Sequence, residues 1–335
     1  MALAVQALEP LFVLNCLTMS KTFAFVFPGQ GSQSVGMLDA WGDHPVVAET
    51  LREASEALGE DVGALIHAGP KEALALTTNT QPVMLVAGIA AWRVWCAEGG
   101  ALPAAVAGHS LGEYSALVAS GVLSLAQAAP LVRLRAAAMQ EAVPVGVGAM
   151  AAILGLESAK VIAGCAEAMA SFGAGSTDVV EAVNFNDPAQ TVIAGTKAGV
   201  EKACEVLKAA GAKRALPLPV SAPFHSSLMK PAAEKLRAAL AALELGAPRI
   251  PVVNNVDVAV QQDADAIRDA LYRQAFGPVR WVECVQALKA RGVTHVIECG
   301  PGKVLAGMTK RIDPELVGAS LFDPATLAET KELLA

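Results

Sequence analysis

Basic and aromatic residues are both scarce in this chain. Among its 335 residues, 25 Lys and Arg stand against 32 Asp and Glu, which gives a formal net charge of -7. A nucleic acid is therefore not an expected partner, because proteins that bind its phosphates carry a surplus of positive charge. Aromatic residues make up only 4% of the chain, whereas hydrophobic residues make up 54%. That composition favours an alanine-rich α/β interior over an aromatic-rich β-sandwich.

Paired cysteines and long apolar runs are missing too. The six cysteines show no CxxC pair and no neighbouring histidine cluster: Cys16, Cys96, Cys165, Cys204, Cys284 and Cys299. Neither a disulfide framework nor a zinc site is indicated, and a reducing cytoplasm suits this pattern. The apolar run 11–17 is short, is interrupted by Asn15 and has no Lys or Arg before it. We therefore expect a cytoplasmic protein with no signal peptide and no membrane association, in which residues 1–20 are an N-terminal extension and Met19 is an alternative start.

The order of apolar runs and helical patterns predicts an α/β fold with an inserted unit. Buried strands are predicted over 22–27, 104–107, 251–255 and 294–298, and helices over 111–119, 230–243 and 281–290. Residues 146–220 have a βαββαβ order, with strands over 149–154, 179–184, 190–194 and 214–220 and helices over 157–170 and 197–210. This order is typical of a ferredoxin-like unit. We expect a small subdomain inserted into a large α/β subdomain made of residues 21–145 and 221–320.

The segment from Gly108 to Gly112 fits the GxSxG pattern of a serine nucleophile, with Ser110 at its centre. It follows a predicted strand and precedes a predicted helix, which is the setting that this pattern needs. Glycines on both sides leave room for a sharp turn, and the start of the helix supplies N–H groups to a developing oxyanion. Residues 110–113 also read as an S-x-x-E capping box, so an ordinary helix start is the alternative interpretation.

His225 is the candidate general base among five histidines. It lies in a proline-interrupted loop, residues 221–227, between the inserted unit and the next helix, and such loops carry functional groups. The other four histidines adjoin the serine or lie in polar, helical or strand segments: His109, His44, His67 and His295. No acidic residue near His225 is an obvious third member of a triad, so a main-chain carbonyl is an alternative orienting group. A surface histidine without a role is the other interpretation of this loop.

Several motifs, taken in order, resemble those of one family. They are residues 25–33, 108–113, 184–186, 222–225 and 300–303. Together they are similar to the malonyl-CoA:acyl-carrier-protein transacylases of bacterial fatty-acid synthesis, which are related to the acyltransferase domains of polyketide synthases. The resemblance runs from Lys21 to about Asp313. It implies an α/β-hydrolase-like large subdomain with an inserted ferredoxin-like small subdomain, and an active site between them.

The resemblance also implies roles for single residues. Ser110 and His225 would act as a catalytic dyad. The backbone N–H groups of Gln30 and Leu111 would form the oxyanion hole. The main-chain carbonyl of Gln274 would hold the His225 ring in place.

Arg135 stands where the family has an arginine that grips the free carboxylate of malonate. The chemistry supports this, because a guanidinium binds a carboxylate through two parallel hydrogen bonds. A solvated surface arginine is the alternative interpretation, and Arg133 is a nearby rival. Pro130 removes one backbone hydrogen bond from the same helical stretch and can kink it. Phe224, the residue before the predicted base, favours malonyl over methylmalonyl in the related domains.

The activity implied is transfer of malonyl from malonyl-CoA to the phosphopantetheine thiol of holo acyl carrier protein, through a malonyl-serine intermediate, for fatty-acid biosynthesis. No cofactor or metal is expected, and the protein is expected to be a monomer. Because the carrier is expected to be acidic, Lys303, Lys310 and Arg311 are candidate docking residues. Two alternatives stay open: a serine thioesterase or esterase that releases the acyl group to water, and a catalytically silent module that binds a carrier protein.

Overall fold

The structure is a computed structural model that describes residues 21–173, 175–220 and 222–335. The predicted N-terminal extension, residues 1–20, lies outside the described residues. Over the ranges described, no helix is long and apolar enough to cross a membrane. The elements in these ranges form two sheets with helices packed around them.

The strands divide into one parallel and one antiparallel sheet. They are β1 (Phe23–Phe27), β2 (Ala105–Gly108), β3 (Gly148–Leu154), β4 (Val180–Asp187), β5 (Gln190–Thr196), β6 (Arg214–Pro217), β7 (Val252–Val253), β8 (His295–Cys299) and β9 (Val317–Leu321). The larger sheet has the order β7-β2-β1-β8-β9, and all its pairs are parallel. Its central strand β1 is apolar and buried along its whole length, as expected for a parallel strand covered on both faces.

Helices cover both sheets. They are α1 (Pro45–Leu58), α2 (Val62–Ala68), α3 (Lys71–Ala75), α4 (Thr77–Ala97), α5 (Gly112–Ser120), α6 (Leu125–Glu141), α7 (Ser158–Ala170), α8 (Lys197–Ala209), α9 (Lys230–Ala241), α10 (Ala264–Gln274), α11 (Trp281–Ala290), α12 (Val304–Ile312) and α13 (Pro324–Leu334). Helix α4 is apolar on almost every side and packs against α6 in the main core. Helix α6 is continuous through Pro130, which lies in its second turn.

The smaller sheet belongs to the predicted βαββαβ unit. Its order is β4-β5-β3-β6 with antiparallel pairs, so the first and third strands of the unit lie side by side in the centre, as in ferredoxin-like folds. Helices α7 and α8 pack together over a core that includes Ile153, Val161 and Leu207. Strand β3 begins at Gly148 and β6 ends at Pro217, within the predicted range 146–220. The predicted two-subdomain α/β fold is confirmed.

Some predicted elements have different bounds in the structure. Strand β7 covers two residues instead of 251–255, because the side chain of Asn255 and the main chain of Asn254 make hydrogen bonds outside the sheet. Strand β6 stops at Pro217 instead of 220. Leu218 N–H still donates to the Met150 carbonyl at 2.9 Å, but the following residue, Pro219, has no N–H to continue the ladder. The predicted large subdomain ends at 320, whereas β9 runs to Leu321 and α13 then packs against it.

Strand β4 fastens the small subdomain to the large one. Phe185 N–H donates to the Val279 carbonyl at 2.9 Å, and Val279 N–H donates to the Val183 carbonyl at 2.8 Å. One end of the same strand carries Asp187, which is buried and forms an ion pair of 2.8 Å with Arg311 of α12. Main-chain hydrogen bonds and an ion pair therefore set the position of the small sheet over the carboxyl ends of the large one.

The turn between β2 and α5 is packed against β1 with no room for a side chain. A Cβ atom added at Gly112 would lie 2.0 Å from the Phe27 carbonyl oxygen. We expect Gly112→Ala to lower the free energy of unfolding by about 3 kcal/mol, because the main chain of α5 must move away from β1. Chemical denaturation of both proteins measures this change.

Gly173→Ala is the matched control, since a Cβ atom there meets no atom within 4 Å. We expect this substitution to change the free energy of unfolding by less than about 0.5 kcal/mol. Equal stabilities for the two variants would contradict the close contact between α5 and β1.

Candidate active site

Ser110 lies at a sharp turn where β2 ends and α5 begins. Its φ angle is 53°, a left-handed value that costs a residue other than glycine about 1–2 kcal/mol. The turn closes tightly, since a Cβ atom added at Gly108 would lie 1.9 Å from the main chain of Gly112. The two glycines of the GxSxG pattern thus allow the chain to reverse and leave the serine side chain facing outward from the sheet.

The capping-box alternative for this turn is wrong. Leu111 is the N-cap of α5, and no side chain caps the helix. The carboxylate of Glu113 turns into the protein interior, where Oε2 accepts from Asn255 N–H at 2.8 Å and from Gln274 Nε2 at 3.0 Å. The Ser110 N–H donates instead to Asn255 Oδ1 at 2.8 Å. Burial of the carboxylate prevents the reciprocal contact that defines a capping box.

The structure brings His225 to Ser110 from a distant part of the chain. His225 Nε2 lies 2.6 Å from Ser110 Oγ, and Nδ1 donates to the main-chain carbonyl of Gln274 at 2.9 Å. The carbonyl fixes the proton on Nδ1 and leaves Nε2 as the acceptor for the serine hydroxyl. Burial, together with the nearby charge of Arg135, lowers the pKa of His225 to about 3. The imidazole is therefore neutral near pH 7 and able to accept a proton.

His225 shares an unusual backbone conformation with Ser110. Its φ angle is 65°, also in the left-handed region, which only a few per cent of residues other than glycine adopt. The side chain is only 4% exposed. Two strained residues in direct contact are a recognised mark of a functional site, because packing has to hold each in place.

Arg135 is buried in α6 and reaches the same serine. Its Nη2 atom donates to Ser110 Oγ and to Gln274 Oε1, both at 3.2 Å, and Nη1 donates to Gln81 Oε1 at 2.8 Å. No carboxylate of the described ranges lies within ion-pair distance of this guanidinium, and burial lowers its pKa. A buried cation with neutral partners retains its attraction for an incoming anion. The rival Arg133 forms an ion pair with Glu60 instead.

Two residues that line the cavity beside Ser110 have backbone N–H groups with no acceptor among the described residues. In the described part of the chain, neither Gln30 N–H nor Leu111 N–H donates a hydrogen bond. Both residues line the cavity that contains Ser110, and Leu111 opens the first turn of α5, whose dipole favours negative charge. The pair is available to an oxyanion that forms beside Ser110.

A cavity of about 330 Å³ holds these groups between the two sheets. Strands β3, β4 and β5 line one side, helix α12 lines another, and Phe224 lies beside His225 at its wall. The apolar lining residues include Met139, Met150, Ala152, Val192, Leu305 and Met308. No group of three or more His, Cys, Asp or Glu residues capable of holding a metal occurs among the residues described.

Several residues of the site were not predicted from the sequence. Gln81 and the side chain of Gln274 hold Arg135, while Asn255 and Glu113 hold the turn around Ser110. His109, set aside as a base, points away from Ser110, and its Nε2 lies 2.8 Å from Asn186 Oδ1 of β4. Of these residues, only Glu113 could have been singled out from the sequence, because it is the last residue of the motif 108–113.

The buried Glu113 predicts a specific dependence of stability on pH. Burial raises its pKa to about 7, although hydrogen bonds from Asn255 and Gln274 and the charge of Arg135 oppose the shift. Between about pH 4.5 and pH 7 the folded protein then binds this proton more tightly than the unfolded chain, so stability falls as pH rises. Gln at this position keeps the acceptor and never ionises.

We expect Glu113→Gln to be more stable than the wild type by up to about 3 kcal/mol at pH 8, with the difference shrinking toward pH 5. Denaturant unfolding of both proteins across this pH range measures the difference. A difference that stays constant with pH would contradict the raised pKa of Glu113.

Comparisons with known proteins agree with this geometry. Residues 24–313 match the family model described as acyl transferase domain. The malonyl CoA-acyl carrier protein transacylase of Escherichia coli K12 is 55% identical over 312 residues, which covers 93% of this chain and 99% of that protein. The enzyme of the same name from Bacillus subtilis is 46% identical over 310 residues, covering 92% of this chain and 96% of the relative.

Solved structures give the same result. The acyl-carrier-protein S-malonyltransferase of Burkholderia pseudomallei superposes with a TM-score of 0.90 at 68% identity, covering 93% of this chain and 99% of that one. A malonyl-transacylase solved in complex with its type II PKS acyl-carrier protein has a TM-score of 0.89 at 52% identity, with coverages of 93% and 99%. The resemblance seen in the sequence motifs is thus confirmed over nearly the whole chain. The chain belongs to the acyl transferase domain family and, within it, to the malonyl CoA-acyl carrier protein transacylases.

Proposed function

We propose that this protein transfers malonyl from malonyl-CoA to the phosphopantetheine thiol of holo acyl carrier protein, through an ester on Ser110, for fatty-acid synthesis. The observation that carries the proposal is the convergence of two groups, the His225 imidazole and the Arg135 guanidinium, on the Ser110 hydroxyl oxygen. Ser110 Oγ lies 2.6 Å from His225 Nε2 and 3.2 Å from Arg135 Nη2. A nucleophile, a neutral base and a buried cation therefore meet in one cavity.

In the first half of the reaction, Ser110 Oγ attacks the thioester carbonyl of malonyl-CoA. His225 Nε2 takes the hydroxyl proton as the new C–O bond forms. The negative charge that develops on the carbonyl oxygen accepts hydrogen bonds from the N–H groups of Gln30 and Leu111. When the C–S bond breaks, His225 returns the proton to the sulfur, and coenzyme A leaves as a thiol.

The second half repeats these steps in reverse with a different thiol. His225 takes the proton from the phosphopantetheine thiol of the carrier, and the sulfur attacks the ester carbonyl on Ser110. The same two N–H groups stabilise the second tetrahedral intermediate. As the ester C–O bond breaks, the proton returns to Ser110 Oγ. One base and one oxyanion site therefore serve both halves, which gives ping-pong kinetics.

Arg135 supports malonyl as the acyl group. The guanidinium is buried, and its described contacts are two amides, the Ser110 hydroxyl and the Tyr114 ring, none of which forms an ion pair with it. A malonyl group on Ser110 presents a free carboxylate that can accept two parallel hydrogen bonds from it. An acetyl group has no carboxylate, so it leaves the buried positive charge of Arg135 without an ion-pair partner, which is unfavourable in free energy.

The two alternative functions fit these observations less well. A general thioesterase or esterase has no need of a buried cation beside its nucleophile, because its acyl chain is uncharged. A silent carrier-binding module has no need of an aligned Ser110 and His225 in strained conformations. Transfer to a carrier uses all of these features.

We propose that the acidic carrier docks near α12, whose residues line the cavity. Lys303 and Lys310 are exposed there, and Lys303 lies over the Phe322 ring. Arg311 is a weaker candidate for docking than the sequence suggested, because Asp187 already pairs with it.

Since one chain supplies every group of the site, we also propose a monomer. The free cysteines of the described ranges are compatible with the cytoplasm as its place of action.

Ser110→Ala tests the proposed function. Radiolabelled malonyl-CoA and holo acyl carrier protein are incubated with wild type or variant, and labelled carrier, labelled protein and free malonate are counted separately. We expect the wild type to label the carrier and the variant to label neither carrier nor itself, because the variant lacks the attacking oxygen. Free malonate without labelled carrier would identify a hydrolase, and no label on the wild-type protein would favour the silent module.

Arg135→Ala tests the choice of acyl group. We expect kcat/KM for malonyl-CoA to fall about 100-fold, since two charge-assisted hydrogen bonds are lost. Acetyl-CoA makes no use of this arginine, so its kcat/KM is expected to change by less than about tenfold. Arg133→Ala is the matched control, because Arg133 pairs with Glu60 and leaves both substrates unaffected. Equal losses for malonyl-CoA and acetyl-CoA would contradict the proposed role of Arg135.

A further inference from the structure

The side chain of Asn255 spans the turn that carries Ser110. Its Oδ1 atom accepts from Ser110 N–H at 2.8 Å, and its Nδ2 atom donates to the Gly108 carbonyl, also at 2.8 Å. The residue is completely buried. One amide thus holds the main chain at the nucleophile and at the end of β2, from a position 145 residues away.

We propose that Asn255 is a positioning residue for the acyl transfer, which keeps Ser110 in its left-handed conformation and reserves the neighbouring N–H group for the oxyanion. The inference rests on the proposed function of Ser110. Asn255 does not touch the substrate or move a proton. It acts through the main chain of the nucleophile.

The strain at Ser110 is the first reason. A left-handed serine returns to an ordinary conformation unless its peptide groups are held, because that conformation is unfavourable for a side chain with a Cβ atom. Asn255 holds the N–H of Ser110, and Gln274 Nε2 donates to the Ser110 carbonyl at 2.9 Å. Both peptide groups of the nucleophile are therefore anchored by amide side chains.

The use of N–H groups is the second reason. Two consecutive N–H groups, those of Ser110 and Leu111, lie at the start of α5. Asn255 Oδ1 occupies the first, whereas no acceptor in the described ranges occupies the second. The Leu111 N–H belongs to the same peptide group as the Ser110 carbonyl, which Gln274 holds, while Asn255 holds the peptide group on the other side of Ser110. A change in the backbone angles of Ser110 would therefore turn the Leu111 N–H away from the substrate.

Two hydrogen bonds hold the main chain of Asn255 in place. Glu113 Oε2 accepts from the Asn255 N–H at 2.8 Å, and Arg280 N–H donates to the Asn255 carbonyl at 3.2 Å. Its strand β7 pairs with β2, the strand that leads into the turn, and then leaves the sheet at Asn254. Because β7 ends at Val253, the Asn255 side chain is free of the sheet and lies against the Ser110 turn. A rigid support is what a positioning residue requires.

Asn255→Ala is tested in single-turnover reactions that follow malonyl-enzyme formation at several malonyl-CoA concentrations. We expect the rate at saturation to fall about 30-fold and the half-saturating concentration to change by less than about threefold, since substrate contacts remain. Asn254→Ala is the matched control. Asn254 is also buried, but its Oδ1 accepts from Asp257 N–H in a turn away from Ser110, so both values are expected within about threefold of the wild type.

The outcomes separate this inference from the proposed function. A wild type that forms no malonyl-enzyme overturns the proposed function itself. A wild type that forms it, with Asn255→Ala within threefold or with the same loss in Asn254→Ala, overturns the role of Asn255 alone.

Asn255→Asp supplies a second test that does not depend on the alanine variant folding. The aspartate keeps the acceptor for Ser110 N–H, but it donates to the Gly108 carbonyl only when protonated. We expect the ratio of variant to wild-type acylation rate to rise as pH falls from about 8 to about 5. The titratable and charged groups around the turn are present in both proteins: Glu113, Tyr114, Arg135, His225, Asp257, Arg280 and Cys284. The ratio therefore reports the new carboxyl group together with its coupling to Glu113, whose carboxylate accepts from the main chain of residue 255. A ratio that does not change with pH would overturn the proposal.

Discussion

The hydrogen bond between Ser110 Oγ and His225 Nε2 is the contact on which the rest of the site depends. It joins the end of β2 in the large subdomain to the loop that leaves the small one, and both residues adopt left-handed backbone conformations to make it. Neither conformation is stable in an isolated segment. Gly108 and Gly112 permit the first, and the Gln274 carbonyl orients the imidazole of the second. The position of the small subdomain therefore decides whether nucleophile and base meet.

Buried charged and titratable groups surround Ser110, and they are the basis of the proposed selectivity for malonyl. The interior around Ser110 contains a guanidinium without an ion-pair partner in the described ranges, a carboxyl group with a raised pKa, and an imidazole with a lowered pKa. Each shift has burial as its largest cause. Burial keeps His225 neutral, which is the form that accepts a proton, and in the proposed function Arg135 binds the substrate carboxylate. Amide side chains from Gln81 and Gln274 hold the guanidinium in place without neutralising it.

Local patterns predicted the elements around Ser110 and marked His225 as a candidate base, but they did not reveal which other distant residues support the turn. The strand, turn and helix around Ser110 follow from the apolar run and the glycines, and the βαββαβ unit follows from the order of its patterns. The family resemblance supplied the places of Arg135 and Gln274, which periodicity alone leaves open. Asn255 was missed because its contacts join residues 145 and 147 positions apart, and no local pattern marks them. The bounds of β7 were missed for the same reason. In the sequence, Asn254 and Asn255 follow the apolar residues of the strand directly, and nothing local shows that the Asn255 side chain bonds to the Ser110 turn.

The most direct test of this account is a crystal structure of the protein soaked with malonyl-CoA. The account predicts a malonyl ester on Ser110 Oγ, with its free carboxylate on the Arg135 guanidinium and its ester carbonyl oxygen at the N–H groups of Gln30 and Leu111. It also predicts that the Ser110 turn and Asn255 keep their positions, because the site is formed before the substrate arrives. An ester whose carboxylate points to solvent, or a malonyl group bound elsewhere than on Ser110, would contradict it.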